Sequence, residues 1–255
     1  MRYYNLLKNL SNWPLYLTVK FGAARIDPLR FVTRQEVHIE VPRRLLQTFK
    51  EIFMDECYLR GLGRPVSENP MILDIGANAG YFSLFALSRF RGARVIAFEP
   101  MPANYALLTR NRLLNAGLPW TCVQKAVSGE PGELVLACDA GDGLTTSATV
   151  LAEDTSQRER IRVPAVSLPG IFEEYRLERF DLLKMDCEGA EFGILYSCPP
   201  EFLGRVDRIA MEVHWGSGEG QNIDAMETYL KQAGFITRRR PVGMLWAWRE
   251  GGSHG

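Results

Sequence analysis

The run Met71-Ile72-Leu73-Asp74-Ile75-Gly76-Ala77-Asn78-Ala79-Gly80-Tyr81-Phe82 narrows the choice of fold more than any other stretch of the chain. Met71–Ile75 suits a strand buried on both faces, and it carries Asp74 near its end. A Gly-containing turn follows, and then a helical period from Phe82 to Phe90. A buried strand that feeds a helix through a tight turn opens a parallel α/β sheet, and ligands of such sheets bind outside the carboxyl ends of the strands. Gly76 and Gly80 remove side chains where a ligand has to approach the backbone. The turn has Asn78 where G-x-G-x-x-G has its middle Gly, and it lacks the Gly-Lys-Ser/Thr of a P-loop. It therefore suits a ligand without phosphates.

The pattern repeats downstream. Val95–Phe98, Thr121–Val127, Asp181–Met185 and Ile209–Val213 read as further buried strands, with helices at Asn104–Asn115 and Ala190–Tyr196. Gly132–Cys138 and Ile161–Val166 read as an added strand pair around a polar surface insertion, residues 139–160. Phe235–Thr237 and Met244–Trp248 read as an antiparallel pair at the sheet edge, on either side of a turn at Pro241-Val242-Gly243. The expectation is an α/β domain over residues 66–250, with a mostly parallel seven-stranded sheet, helices on both faces and a short tail at 251–255. Residues 1–65 read as an N-terminal helical extension that packs on this core. Pro42 opens a helix whose Leu45, Phe49, Ile52 and Phe53 share one face, and Gly61 and Gly63 close it. The aromatic segment 3–21 either packs on the body or makes peripheral contact with a membrane surface.

Composition removes several function classes. Thirty Lys+Arg balance thirty Asp+Glu, which argues against nucleic acid held by a basic excess. No stretch approaches 18 apolar residues, so no transmembrane segment is expected. Five scattered cysteines without C-x-x-C fit free thiols and a cytoplasmic protein. There is no H-E-x-x-H and no His/Cys set at zinc spacing. The oligomeric state is not legible.

What remains is a set of acidic strand ends. Glu99 ends the second strand, 25 residues after Asp74, where an acid can accept both hydroxyls of a ribose. Two carboxylates without a phosphate cradle point to an amine-bearing or cationic nucleoside, and S-adenosylmethionine fits that description. Lys184, Asp186 and Glu188 alternate at a later strand end and so share one face. His214 ends the next strand, while His38 lies in the extension and His254 in the tail, so His214 is the histidine placed for proton transfer. The loop Gly216–Gly220 after it reads as either a lid or a plain solvent loop.

At these elements the chain resembles the FkbM family of S-adenosylmethionine-dependent methyltransferases, within the Rossmann-like class I group. The likeness covers about residues 45–249. It rests on Phe49 to Tyr58, on Leu73 to Gly80, on Ala97-Phe98-Glu99-Pro100-Met101-Pro102-Ala103-Asn104, and above all on Lys184-Met185-Asp186-Cys187-Glu188-Gly189-Ala190-Glu191. The resemblance implies a Rossmann-like fold and a cofactor site of Asp74, Gly76, Ala77, Asn78, Gly80, Tyr81, Phe82, Glu99 and Pro100, together with Asp186. Lys125, Ala126 and Val127 would lie beside the adenine. It implies O-methylation of a hydroxyl on a sugar, glycan or other small metabolite. The strand-end residues Asp186, His214, Lys184 and Glu188 are the candidate catalytic set, with Asp186 or His214 as base. Alignment of the acceptor oxygen with the sulfonium methyl would supply much of the rate. Asp186 and Glu212, at adjacent strand ends, resemble the magnesium site of catechol O-methyltransferase, so a divalent cation such as magnesium is a further expectation. One departure stands out: Pro169 follows Leu168 where family members commonly carry Asp. Two other readings stay open, a nicotinamide-dependent oxidoreductase and a non-catalytic subunit that keeps the fold.

Overall fold

The computed structural model describes the chain except residues 24, 140–148, 151–157, 217, 241–242 and 251–255. The expected C-terminal tail, most of the 139–160 insertion, Ser217 of the expected lid and the Pro241-Val242 turn lie outside the described residues.

In chain order, the extension holds helices α1 (Arg2–Asn9) and α2 (Pro14–Lys20) and strands β1 (Leu29–Val32) and β2 (His38–Val41). A 3₁₀ turn (Arg43–Leu45) then leads into α3 (Leu46–Phe53). The body follows as β3 (Met71–Ile75), α4 (Tyr81–Arg89), β4 (Arg94–Phe98), α5 (Pro102–Leu114), β5 (Trp120–Val123), β6 (Ala126–Ser128), β7 (Gly132–Asp139), β8 (Thr149–Val150) and β9 (Arg158–Ser167). It ends with α6 (Leu168–Glu174), β10 (Leu182–Met185), α7 (Glu191–Tyr196), α8 (Pro200–Leu203), β11 (Arg208–Glu212), α9 (Ile223–Gln232), β12 (Ile236–Arg239) and β13 (Met244–Trp248). No helix among the described residues is long and apolar enough to cross a membrane.

The main sheet has seven strands in the order β12-β13-β11-β10-β3-β4-β5. Five of them, β5 to β11, run parallel, while β13 and β12 are antiparallel at one edge. The mostly parallel seven-stranded sheet expected from the sequence is the one found. Alternation sorts each strand's side chains between two layers. Ile72, Val95 and Ala97 pack with Phe82, Leu84 and Leu107 on one face, and Leu6, Leu10, Phe31 and Phe49 of the extension join that cluster. Leu73, Ile75, Ile96 and Phe98 pack with Ile171, Phe192, Ile194 and Leu230 on the other. The chain winds outward from β3 to β5 and returns at β10, so the direction of winding reverses between β3 and β10, where such sheets bind ligands.

Three local expectations are corrected. Thr121–Val127 is not one strand: β5 stops at Val123 and β6 joins a second sheet, ordered β6-β9-β7-β8, on which Ala126, Leu136, Val163 and Ala165 pack with Met101. The helix of the extension ends at Phe53, well before Gly61 and Gly63. Those glycines are seats for indoles instead, since a Cβ on Gly61 would lie 2.0 Å from the Trp246 ring and one on Gly63 2.2 Å from the Trp248 ring. The extension is also not wholly helical, because β1 and β2 form an antiparallel hairpin. Pro169 costs α6 nothing at its first turn, where no backbone donor is required, and the Ser167 hydroxyl accepts from the Gly170 N–H at 3.3 Å as the cap.

Candidate active site

A cavity of about 740 Å³ opens over the carboxyl ends of β3, β4, β10 and β11, within the range of about 300–1,000 Å³ usual for small-molecule sites. Its first half is the β3 turn and the β4 end. The N–H groups of Gly76 and Ala77 both donate to the Phe98 carbonyl at 3.0 Å, which ties the turn to β4. Glu99 is 4% exposed. Its carboxylate accepts from the Asn78 N–H at 2.7 Å and the Met101 N–H at 2.9 Å. Burial raises the Glu99 carboxyl to about 7, and the hydrogen bonds from Met101, Asn78 and Asn104 only partly offset this. Glu99 therefore fixes the turn and starts α5, and it still lines the cavity with Gly76, Ala77, Asn78, Tyr81, Phe82 and Pro100.

The glycines work differently from the expectation. Gly76 has φ +72°, and a Cβ there would stand 1.8 Å from the Asp186 carbonyl oxygen. A Cβ on Gly80 (φ +82°) would meet Leu108 and Trp120 at 2.6 Å, and Gly80 is not on the cavity wall. Both let protein segments pack closely, and of the two only Gly76 also faces the cavity. Asp74 also lies behind the wall, fully buried, accepting from the Ser83 hydroxyl at 2.7 Å and pairing with Lys184 at 3.2 Å. The Lys184 ammonium further donates to the carbonyls of Gly76 at 2.7 Å and Ile75 at 3.4 Å. Its ammonium is thus held by the end of β3 and the first residue of the turn. Burial opposes its charge, but Asp74 and Asp186 outweigh that and raise its pKa, so Lys184 is a charged strut for the turn and not a proton acceptor. Lys125 pairs with Glu174 at 3.4 Å and lies off the cavity wall, whereas Ala126 and Val127 line it with Leu134 and Leu136 of β7.

The second half gathers titratable side chains. Asp186, just past β10, accepts from the Tyr58 hydroxyl at 2.7 Å. The Tyr58 phenol is held far above its usual range, first by burial and then by the Asp186 charge, so it remains a donor. His214 Nδ1 lies 2.9 Å from Glu191, while its Nε2 faces Glu188 at 3.6 Å and Asp186 at 3.9 Å. Glu191 is fully buried and accepts from the N–H groups of Cys187 (3.1 Å) and Gly189 (2.9 Å). Burial disfavours the imidazolium, but Glu191, Glu188 and Asp186 overcome it and lift His214 to about 9. Glu188 sits at φ +53°, uncommon for a side-chain-bearing residue, which places its carboxylate beside His214. Burial raises Glu188 to about 7. Glu212 is raised as well, by burial and by Asp186.

The structure therefore brings Glu99, Asp186, Glu188, Glu212 and His214 to one cavity and sets Asp74, Gly80 and Lys125 outside it. Sequence reasoning missed Tyr58 as the partner of Asp186. It also took Glu191 for a helix-terminus charge, when Glu191 in addition fixes His214. A nucleoside without phosphates fits the first half: Glu99 keeps lone pairs for ribose hydroxyls, and Phe98, Met101, Ala126 and Val127 give an apolar wall. Asp186, Glu212 and His214 present ligand-type atoms all within 4.8 Å of one another, a set able to hold a cation.

Comparison with known proteins agrees with this geometry. Residues 74–237 match the Methyltransferase FkbM domain. Methyltransferase sdnD of Sordaria araneosa is 33% identical over 223 residues, covering 75% of this chain and 83% of that protein. The 31-O-demethyl-FK506 methyltransferase FkbM of Streptomyces tacrolimicus is 30% identical over 194 residues, covering 65% and 73%. Among solved structures, methyltransferase FkbM from Methylobacillus flagellatus KT shares the fold with TM-score 0.50 and 12% identity; the match covers 80% of this chain and 54% of that one, so the chain spans about half its length. The chain belongs to the FkbM family of S-adenosylmethionine-dependent methyltransferases.

Proposed function

We propose that the protein methylates a hydroxyl oxygen of a small, hydroxyl-bearing metabolite or glycan, with Asp186, Glu188 and His214 at the reacting centre. S-adenosylmethionine supplies the electrophilic methyl group. Glu99 takes its ribose, the Gly76–Asn78 turn and Tyr81 its amino-acid portion, and Ala126 and Val127 its base. The single observation that carries the reading is that the Glu99 turn and the Asp186–Glu188–His214 group share one cavity. A carboxyl near 7 matches the pKa a general base needs at neutral pH, so Glu188 accepts the hydroxyl proton while Asp186 orients the hydroxyl. His214 is already protonated there and holds the two carboxylates in place.

The test is a radiolabelled methyl-transfer screen against polyols, glycans and hydroxylated metabolites, with a pH profile for any acceptor found. A rate that climbs to a plateau with an apparent pKa near 7 supports Glu188. A midpoint near 9 moves the base to His214, and label transferred only to nitrogen or carbon acceptors rejects the O-methylation reading. The spacing of Asp186, Glu212 and His214 favours a second reading, in which a divalent cation binds the acceptor oxygen. Running the same screen with magnesium and with a chelator separates the two.

A further inference from the structure

Both faces of α1 carry apolar side chains. The inner face is fastened: Leu6 is buried, Asn5 Nδ2 donates to the Met54 carbonyl at 2.8 Å and Asn9 Nδ2 to the Phe53 carbonyl at 2.7 Å. These bonds satisfy acceptors that the end of α3 leaves open, so the orientation of α1 is set. The outer face then presents Tyr3, Tyr4 and Leu7, which are 47%, 68% and 42% exposed. Phe21, at the end of α2 and 76% exposed, is continuous with them, because the Lys20 ammonium lies 4.9 Å from the Tyr3 ring centre and 5.7 Å from that of Phe21. With Met1 and Ile26, six of the twelve large exposed apolar side chains among the described residues fall within the first 26 positions. Tyr3, Tyr4, Leu7 and Phe21 thus form a patch, not the ordinary scatter of single exposed residues.

Its charge is one-sided. Every charged side chain before Asp27 is cationic (Arg2, Lys8, Lys20, Arg25), in a chain whose formal charges cancel. Arg2 and Lys8 are paired with Asp55 and Glu56. Lys20, Arg25 and Arg34, the last donating to the Leu7 carbonyl beside the patch, have no acidic partner among the described residues. Exposed tyrosines and a phenylalanine among cations without an acidic partner suit the headgroup zone of a bilayer, where rings reach the acyl boundary and cations meet lipid phosphates.

We propose that the outer face of α1 and the end of α2 dock on an anionic lipid surface. The patch adjoins the cavity: Arg60 donates to Met1 Sδ at 2.9 Å, Arg2 pairs with Asp55 at 3.1 Å, and Arg60 and Asp55 both line the cavity wall. A docked molecule therefore holds part of its cavity rim close to the lipid.

Flotation of the full chain with phosphatidylcholine vesicles, and with vesicles of phosphatidylcholine mixed with phosphatidylglycerol, tests this. The chain is expected to float with the anionic vesicles only, and less so in raised salt. Tyr4→Ser and Phe21→Ser should each lower partitioning about tenfold and Lys20→Gln about fivefold, with unfolding temperatures unchanged because Asn5, Leu6 and Asn9 are untouched. Absence of flotation at low salt overturns the proposal, as does equal flotation with neutral vesicles. A chain that stays off vesicles but sediments as a dimer, dissociated by Tyr4→Ser and Phe21→Ser, overturns it in favour of a contact between copies.

Discussion

The two halves of the cavity are made of different material. Around Glu99 the turn is held by backbone groups: the N–H of Asn78 and Met101 on the carboxylate, and the N–H of Gly76 and Ala77 on the Phe98 carbonyl. Around Asp186 the contacts run from side chain to side chain: Tyr58 to Asp186, and His214 to Glu191, Glu188 and Asp186. One carboxylate lines the first half, whereas Asp186, Glu188 and Glu212 crowd a single imidazole in the second. A site of backbone dipoles depends on the path of the chain and on the few side chains, Glu99 and Lys184, that hold it. A site of crowded side chains depends on which residues are present and on pH. The binding of the methyl donor and the handling of the acceptor are thus expected to fail separately when mutated.

The severest test is where the two halves meet most closely. Gly76→Ala puts a methyl group 1.8 Å from the Asp186 carbonyl on a backbone at φ +72°, and should cost about 3 kcal/mol or more of stability in denaturant unfolding, with donor binding and transfer lost together. A variant as stable as the parent would mean that the halves are not in contact there. Glu188→Gln comes next, with kcat lowered by about 10²–10⁴ and the donor Kd, read by isothermal titration, moved about threefold or less. Parallel loss of both would erase the distinction. Glu99→Gln is the mirror case: donor binding weakens by about 1.5–3 kcal/mol while kcat at saturating donor holds. An unchanged Kd sinks the ribose assignment. Tyr58→Phe keeps the ring on Phe82 but removes the donor to Asp186, so kcat should fall about tenfold with little change in donor affinity.

The smallest effect is on stability against pH. Glu99 and Glu188 rise from the usual 4.5 to about 7, so the folded chain holds protons that the unfolded chain has released, and stability falls as pH rises across that window. His214 rises from 6.5 to about 9, so its contribution is complete below 6.5 and disappears as pH climbs through 9. Unfolding temperature should therefore decline by a few degrees from about pH 5 to 9. His214→Asn should remove only the upper part of the decline, and Glu188→Gln part of the lower.

The same contrast decides what could be read from sequence. The first half is local: Asp74, the turn and Glu99 lie on two consecutive strand–helix units, and buried runs such as Met71–Ile75 and Val95–Phe98 show where their ends fall. Asp186, Glu188 and His214 were legible as strand-end positions for the same reason. The bond from Tyr58 to Asp186 spans 128 residues, and no periodicity reports it. Gly61 and Gly63 were read as helix stops because their indole partners come some 185 residues later, and β5 and β6 were fused because an apolar run does not say when a chain changes sheet. Asp74 and Lys184 carry charges that look chemical in one dimension, but in three Asp74 lies behind the cavity wall and offsets the charge of Lys184 on it.

The seating of Gly61 against Trp246 also bears on synthesis. While the ribosome is still making the chain, the segment around Gly61 has emerged long before its indole exists, and β13 must still insert between β11 and β12. Assembly of this side of the molecule therefore waits for β13 to be translated. Such delayed long-range closure is slow and leaves apolar surface uncovered in the interim, so the nascent protein is most exposed to chaperones and proteases in the time before Trp246 leaves the exit tunnel.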